Sequence, residues 1–381
     1  MSKNKSSVHK VEVGEMIQIA GAGPAGLVAA ITLAKQGMSV EVHECRKEVG
    51  FRFQGDFQGL ENWTTEQDTL QWMQENGLST DFEKLAGHNV TVFDDKGRAY
   101  EMSSEKPYFY LLERGPATGS LDTALLNQAR ELGVNVIFNS RIKNIKGPGV
   151  LAIGPKAADA IAVGYHFETN MENGFWVICD DNLAPKGYAY LLVMNGRGTV
   201  KSCMFSGFKE EQRYVKRTVT AFEKLLGLKM INPQVHGGAG NFHIPLSAIH
   251  GGHPIVGEQA GFQDTLWGFG MRHAMASGIF AAQSILSGEN YNHIWQAAFA
   301  DQLKASIVNR AIFSLLGNRG YRIALRLLAK SKNSHRVLHK FYTFSRVKQL
   351  LLPLAKWRYH SQRKDKSCDH IDCSCVWCRC G

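Results

Sequence analysis

Residues 17–44, IQIAGAGPAGLVAAITLAKQGMSVEVHE, set Gly21, Gly23 and Gly26 between two apolar runs and end on an acid, Glu44. Glycines at this spacing suit a dinucleotide. Gly21 permits a tight turn, Gly23 lets the backbone approach a pyrophosphate, and Gly26 allows a helix to pack closely on a strand. Ala22, Pro24 and Ala25 fill the same turn. Glu44 can accept a hydrogen bond from a ribose hydroxyl. A second concentration of chemistry closes the chain: in SCDHIDCSCVWCRCG, five cysteines stand beside His370. Cys373, Cys375, Cys378 and Cys380 could wrap one tetrahedral ion such as zinc. The distant second C-x-x-C of a zinc ribbon is missing, so a thiol tail for redox exchange is an equal reading, and an iron–sulfur centre a third.

Glycine is common here, 38 of 381 residues, so the triplet gains meaning only from the elements around it. Residues 16–20 read as a short buried strand, 27–36 as a helix closed by Gly37, and 38–43 as a second strand. That is a β-α-β unit with its glycines at the first turn and its acid at the end of the second strand, with free helix N–H groups facing the phosphates.

Length and composition, 44% hydrophobic and 20% charged, fit a globular protein of two or three lobes. The first 16 residues hold lysines but no apolar core, which points away from secretion and toward a cytoplasmic setting with reduced thiols. The scattered Cys45, Cys179 and Cys203 then read as small buried hydrophobes. Net charge is +10, yet residues 302–367 hold 16 Lys/Arg and one acid, Asp365, so the remainder carries about −5 (10 minus 15). A basic tail on an acidic body implies a polyanionic partner: an anionic membrane surface, reached peripherally from the inner face, or an acidic electron-carrier protein. No segment is long and apolar enough to span a bilayer, and no nucleic-acid motif appears, so no nucleic acid is expected.

Two further blocks extend the first. Residues 110–145 run YLLERGPATGSLDTALLNQARELGVNVIFNSRIKNI, and residues 253–286 run HPIVGEQAGFQDTLWGFGMRHAMASGIFAAQSIL. In this order and separation the three blocks resemble the FAD-dependent oxidoreductases of the aromatic hydroxylase type, with the geranylgeranyl reductase-like branch nearest. The likeness covers about residues 14–300. It implies an α/β fold: a Rossmann-type FAD-binding domain (14–85, 110–155 and 240–300), an inserted antiparallel substrate-binding sheet (86–109 and 156–239) and a helical C-terminal region (301–366), followed by the Cys-rich tail (367–381). It also implies FAD held at two places. Glu258, after Gly257, stands where the family has an aspartate on the ribityl chain. Backbone N–H groups near Gly268, Gly270 and Met271 would face the flavin's pyrimidine oxygens, where a positive helix end stabilises the reduced anion. Arg46 or Arg52 is implied near the phosphates or flavin, and Arg114 near the adenine side or the ring edge. Asp122 or Ser120 reads as a helix cap.

The resemblance places an apolar substrate beside the flavin. Residues 188–194 and 199–205 flank NGRG, a hairpin signal. Tyr188 and Tyr190 in GYAYLLVM fall next to the family's flavin and prenyl tunnel, and Trp267 could wall it, as could Trp176, Phe205, Phe208 and Phe242. Residues 50–63, GFRFQGDFQGLENW, suit a loop over the flavin. No catalytic nucleophile–base pair is readable, and flavin chemistry needs none, since N5 carries the hydride. The implied reaction is reduction of C=C bonds in an isoprenoid or similar apolar compound. Hydroxylation by a flavin monooxygenase and a flavin-bearing membrane redox sensor are the alternatives. Residues 150–169 lack the Asp-Gly pair by which hydroxylases touch NAD(P)H, which tilts the electron donor toward a ferredoxin-like protein; the halogenase W-x-W-x-I-P is also missing. From Trp295 the pattern is helical and basic, with Val337, Phe341, Phe344, Val347, Leu351 and Leu354 recurring at steps of three and four and a break expected near Pro353.

Overall fold

The computed structural model describes residues 14–358 apart from 143, 156, 157 and 332; the proposed cysteine ligands lie outside the described residues. Strand β1 (Ile17–Ala20), helix α1 (Pro24–Ala34) and strand β2 (Val40–His43) form the expected unit. The helix starts one turn earlier than its apolar period suggests, because Pro24 occupies its first position, where a missing N–H costs nothing. Gly37 adopts φ +75° and the Met38 N–H donates to the Leu33 carbonyl, so glycine closes the helix in a left-handed C-terminal turn. β1 and β2 lie at the centre of a parallel four-stranded sheet, flanked by Gly149–Leu151 on one side and Asn135–Ile137 on the other.

Its central strands alternate, IQIA and VEVH, with Ile17, Ile19, Val40 and Val42 buried and Gln18, Glu41 and His43 only partly so. Ile17, Ile19, Val42 and Val150 are buried against Leu27, Ile31 and Leu125. The helix Met271–Ser287 crosses α1 closely. A Cβ on Gly278 would stand 2.3 Å from the Ala25 carbonyl oxygen, and one on Gly257 would meet the Ala25 Cβ at 3.0 Å. The third block of the sequence therefore lies directly on the first.

The second sheet has seven strands in the order Ile231–Gly240, Ala160–Glu168, Arg197–Met204, Tyr188–Met194, Gly174–Cys179, Asn89–Asp94, Ala99–Ser103. It is mixed, not antiparallel as expected: Gly174–Cys179 pairs in parallel with Asn89–Asp94. A parallel pair needs a long crossover, and the chain makes one here by passing through the parallel-sheet domain between the two strands. Asn195 and Gly196 take φ +54° and +75°, the left-handed pair a two-residue hairpin requires.

Residues 50–63 are only partly a loop. Phe57–Glu61 is a strand in a three-stranded sheet with Phe109–Glu113 and Lys84–Ala86. Its glycine hides the pattern: a Cβ on Gly59 would meet the Phe269 ring at 2.4 Å, so the residue is small for packing and not for turning. The C-terminal region is helical, over Tyr291–Ala329, Ser334–Phe341 and Arg346–Arg358. Gly317, at φ +54° and ψ −174°, interrupts the first helix. The break expected at Pro353 does not occur; the last helix runs through this exposed proline, and the carbonyl it deprives of a partner lies on an outer turn where water can serve.

The close crossing predicts that Gly278→Ala costs about 1–3 kcal/mol, seen as a lower urea midpoint at unchanged slope. An unchanged midpoint would contradict the backbone contact between these helices.

Candidate active site

One cavity of about 1110 Å³ lies between the parallel sheet and the seven-stranded sheet, just above the ordinary range for ligand sites. It gathers nearly every residue singled out from the sequence. Ala22, Gly23, Pro24 and Ala25 line it, with Glu44, Arg46 and Arg52 beside them. Gly257, Glu258, Gly268, Gly270 and Met271 line it from the third block, and Arg114 from the second.

Gly21 and Gly26 act behind the lining. A Cβ on Gly21, whose φ is +108°, would stand 2.2 Å from the Ala152 carbonyl oxygen, and one on Gly26 would stand 2.0 Å from the Gly21 carbonyl oxygen. A Cβ on Gly23 would meet nothing within 4 Å: its open side is the cavity. Two of the glycines are thus demanded by packing, and the third leaves space for a ligand. Helix α1 begins at Gly23 with no side chain capping its N–H groups, and Met271–Ser287 begins at Gly270 equally bare. Two uncapped helix N-termini facing one cavity form an anion-attracting pair.

The carboxylates have partners in the protein. Glu44 accepts from the Ala22 N–H at 2.9 Å and the Arg46 N–H at 3.0 Å, bracing the turn from the end of β2. Glu258 pairs with Arg52 Nη2 at 2.7 Å and accepts from the Asn241 N–H at 3.2 Å. Arg114 donates to both oxygens of Asp122 at 2.7 and 2.9 Å. Asp122 is therefore no cap; Ser120 takes that role, accepting from the Thr123 N–H. Phe53 lies between Arg52 and Arg114, whose guanidinium carbons stand 4.6 and 4.1 Å from its ring centre. Gln263 donates to the Gly268 carbonyl at 2.6 Å, while its own Oε1 is buried without a partner among the described residues, an acceptor left over at the cavity edge.

The far part of the cavity is apolar. Trp63, Phe109, Phe175 and Phe269 wall it in edge-on contacts, with Phe109 and Phe175 centred 5.0 Å apart and Trp63 and Phe269 4.6 Å apart. Tyr188, Tyr190 and Trp267 also line it. The Tyr188 hydroxyl donates to the Trp267 carbonyl, and burial pushes both tyrosines well above the usual phenol range. Trp176 points to the other face and packs in a separate core, as strand alternation requires, since Phe175 faces the cavity. Phe242 reaches the cavity, whereas Phe205 stacks on it from behind, under Arg310 at 4.0 Å. Cys179 and Cys203 are buried, their thiols pushed up to about 12 and about 11 by desolvation; Cys45, expected to be buried, is exposed.

One group of residues escaped the sequence. Lys201, on the seven-stranded sheet, is 1% exposed and donates to Asp56 Oδ2 at 2.6 Å and to His236 Nδ1 at 2.9 Å. His166 donates from Nε2 to Asp56 Oδ1 at 2.9 Å. Desolvation and the neighbouring Lys201 hold His236 down at about 3, so it is neutral. Its Nε2 faces the Arg52 carbonyl, which can only accept, so that nitrogen bears the proton and Nδ1 receives the lysine's. Burial opposes the Asp56 carboxylate, but Lys201 and His166 overcome it and keep its pKa far below the ordinary value. The signal in the sequence was a polar residue amid each of three strands, legible only once those strands are aligned.

Comparison with known proteins agrees with this architecture. Residues 19–57 match the model of an NAD(P)-binding Rossmann-like domain. A geranylgeranyl bacteriochlorophyll reductase-like protein from Thermoplasma acidophilum shares the fold with TM-score 0.69 at 17% identity, covering 90% of this chain and 99% of that one. A flavoprotein/dehydrogenase from Cytophaga hutchinsonii follows with TM-score 0.60 at 16% identity, over 90% and 98%. A triple mutant of a flavin-dependent brominase gives 0.61 at 13%, over 91% and 99%. A comparison with curated protein sequences finds no match. The chain thus shares its fold with a geranylgeranyl reductase-like protein, flavin-dependent halogenases and an oxygenase.

His236 sets a pH dependence. Its folded pKa, about 3, lies below the ordinary 6.5, so the unfolded chain binds the extra proton first and stability falls as pH drops from 6.5 toward 3. His236→Asn should flatten the fall in urea midpoint between about pH 7 and about pH 4.5, the range an ordinary histidine crosses; an equally steep fall would refute the assignment.

Proposed function

We propose that this chain binds FAD and reduces carbon–carbon double bonds of an isoprenoid or similarly apolar substrate. The observation that supports it is continuity: a single cavity joins the bare glycine turn to the chamber walled by Trp63, Phe109, Phe175 and Phe269. The residues present fit the cofactor. The α1 N-terminus and Arg46 would hold the diphosphate, Glu44 a ribose hydroxyl, and Glu258 with Arg52 the ribityl chain. The N–H groups at Gly270 and Met271 and the unpartnered Gln263 Oε1 would meet the polar edge of the ring. When bound, FAD supplies hydride at N5. The aromatic wall excludes water and orients the substrate by shape. The absence of an Asp-Gly pair in residues 150–169 favours a ferredoxin-like donor over NAD(P)H.

An apolar substrate fits a membrane source, and the last helix offers a docking face. Val347, Leu350, Leu354 and Trp357 form a stripe on Arg346–Arg358 and are 65%, 82%, 62% and 71% exposed, where an amphipathic cap would have buried them. Arg346, Lys348, Lys356 and Arg358 lie on the same helix with no acid. Among the described residues no helix is long and apolar enough to cross a membrane. A basic helix with an outward apolar stripe lies along an anionic lipid surface.

Two experiments test this reading. Purified protein should be yellow, and Gly23→Trp, at a position where the fold has room, should stay folded by circular dichroism yet colourless; a yellow variant with unchanged affinity would contradict the cradle. Turnover of an isoprenoid alkene by the reduced protein should proceed without oxygen, and a hydroxylated product formed only with oxygen would replace reduction by hydroxylation. For the surface, Leu350→Asp/Trp357→Asp should lower co-sedimentation with phosphatidylserine vesicles by about tenfold or more, since each large apolar side chain contributes about 1.5–3 kcal/mol. Equal binding by the double variant would remove the docking face.

A further inference from the structure

The polar corner of the cavity has a construction of its own. Lys201, Gly164 and His236 sit in one row across three neighbouring strands, Gly164 pairing with Lys201 on one side and with His236 on the other. Gly164 has no side chain to stand between its neighbours, so the lysine reaches the histidine over it at 2.9 Å. Two residues along, His166 lies on the same face opposite Thr199. Asp56 descends onto this face from the turn before Phe57–Glu61 and joins Lys201, His166 and the Thr199 hydroxyl. Lys201, Asp56 and His236 line the cavity; His166, its side chain 16% exposed, does not. The chain of contacts thus runs from the cavity wall outward.

Two histidines and a carboxylate within 4.8 Å of one another also have the composition of a metal site. The lysine nitrogen argues against that use, since it bonds to the carboxylate and to one imidazole and supplies the positive charge itself.

We propose that Lys201 is the proton donor of the reaction, restored from solvent through Asp56 and His166. This rests on the reductase reading above. Once hydride has formed a C–H bond at one alkene carbon, the π pair moves toward the other carbon, which must take up a proton. Lys201 gives it: the N–H bond breaks, its pair stays on nitrogen, and the new C–H bond completes the reduction. His166 takes a proton from solvent at Nδ1 and gives its Nε2 proton to Asp56 Oδ1; the carboxyl then turns that O–H to the lysine, the O–H bond breaks, and the amine is ammonium again with Asp56 a carboxylate. An ammonium is too weak an acid to protonate an isolated alkene but strong enough for an enolate. The substrate class therefore narrows to a C=C conjugated with a carbonyl, on an apolar chain that fits the aromatic chamber.

The test uses the flavin-loaded full chain, reduced with dithionite, and farnesal, an α,β-unsaturated isoprenoid aldehyde. Lys201→Met should slow flavin reoxidation by farnesal about 100-fold or more, the range of a lost general acid, while reduction by dithionite stays within about threefold. In D2O the wild type should place one deuterium at the α carbon with a single configuration, and Lys201→Arg, which keeps the charge, should lose that selectivity. Hydrogen exchange of the 15N-labelled Lys201 ammonium, read without substrate, should slow about tenfold in His166→Gln, an effect comparable to losing one step of proton transfer. Exchange that depends on His166 with no farnesal turnover would retain the relay and discard the reductase. Turnover with unchanged rate and selectivity in both Lys201 variants would discard the donor and retain the reductase. Stoichiometric metal in purified protein, lost in His166→Gln, would overturn the relay outright.

Discussion

The arrangement depends on one close approach, that of α1 to the helix Met271–Ser287. Within the first turn Gly26 lies against the Gly21 carbonyl, while Gly278 meets the Ala25 backbone and Gly257 the Ala25 methyl. This contact puts two segments far apart in sequence at the rim of one cavity and aims two uncapped helix ends into it. Loosening the crossing would part the two halves of the cradle long before the sheet itself lost its core, because the strands are held by a separate ladder of hydrogen bonds.

The seven-stranded sheet divides the cavity by chemistry. One end of its inner face bears Phe175, Leu192 and Tyr190, the other Lys201 and His236. An apolar chamber next to a buried charged corner is expensive unless every charge is matched, since an unpaired buried ion costs several kcal/mol. Here Lys201 is matched by Asp56, His166 bonds to that carboxylate, and His236 accepts from the lysine. The polar corner therefore stands without help from solvent, and the dry chamber beside it strengthens its electrostatics.

The legible parts were local. The β-α-β unit declared itself because its glycines, apolar period and closing Gly37 all fall within one short window. The hairpin at Asn195–Gly196 was equally plain. The third block was readable only as a likeness, since nothing within residues 253–286 reveals that Gly257 touches Ala25. Phe57–Glu61 was hidden by Gly59, a packing glycine that resembles a turn glycine in sequence. The Lys201 corner was invisible because register across three strands, not spacing along one, creates it. The sequence set Val347, Leu351 and Leu354 on one stripe; in the last helix Leu352 and Ala355 pack on Ile307 and Val308, which leaves Leu350 and Trp357 outward beside Val347 and Leu354.

The turn over residues 50–56 ties the two ends of the cavity together. Arg52 gives its side chain to Glu258 and its carbonyl to His236, and Asp56, four residues on, holds Lys201. A molecule that draws Glu258 away must re-seat Arg52, and the same peptide fixes which nitrogen of His236 is protonated. A strut only a few bonds long thus joins the carboxylate at one end to the amine and imidazole at the other.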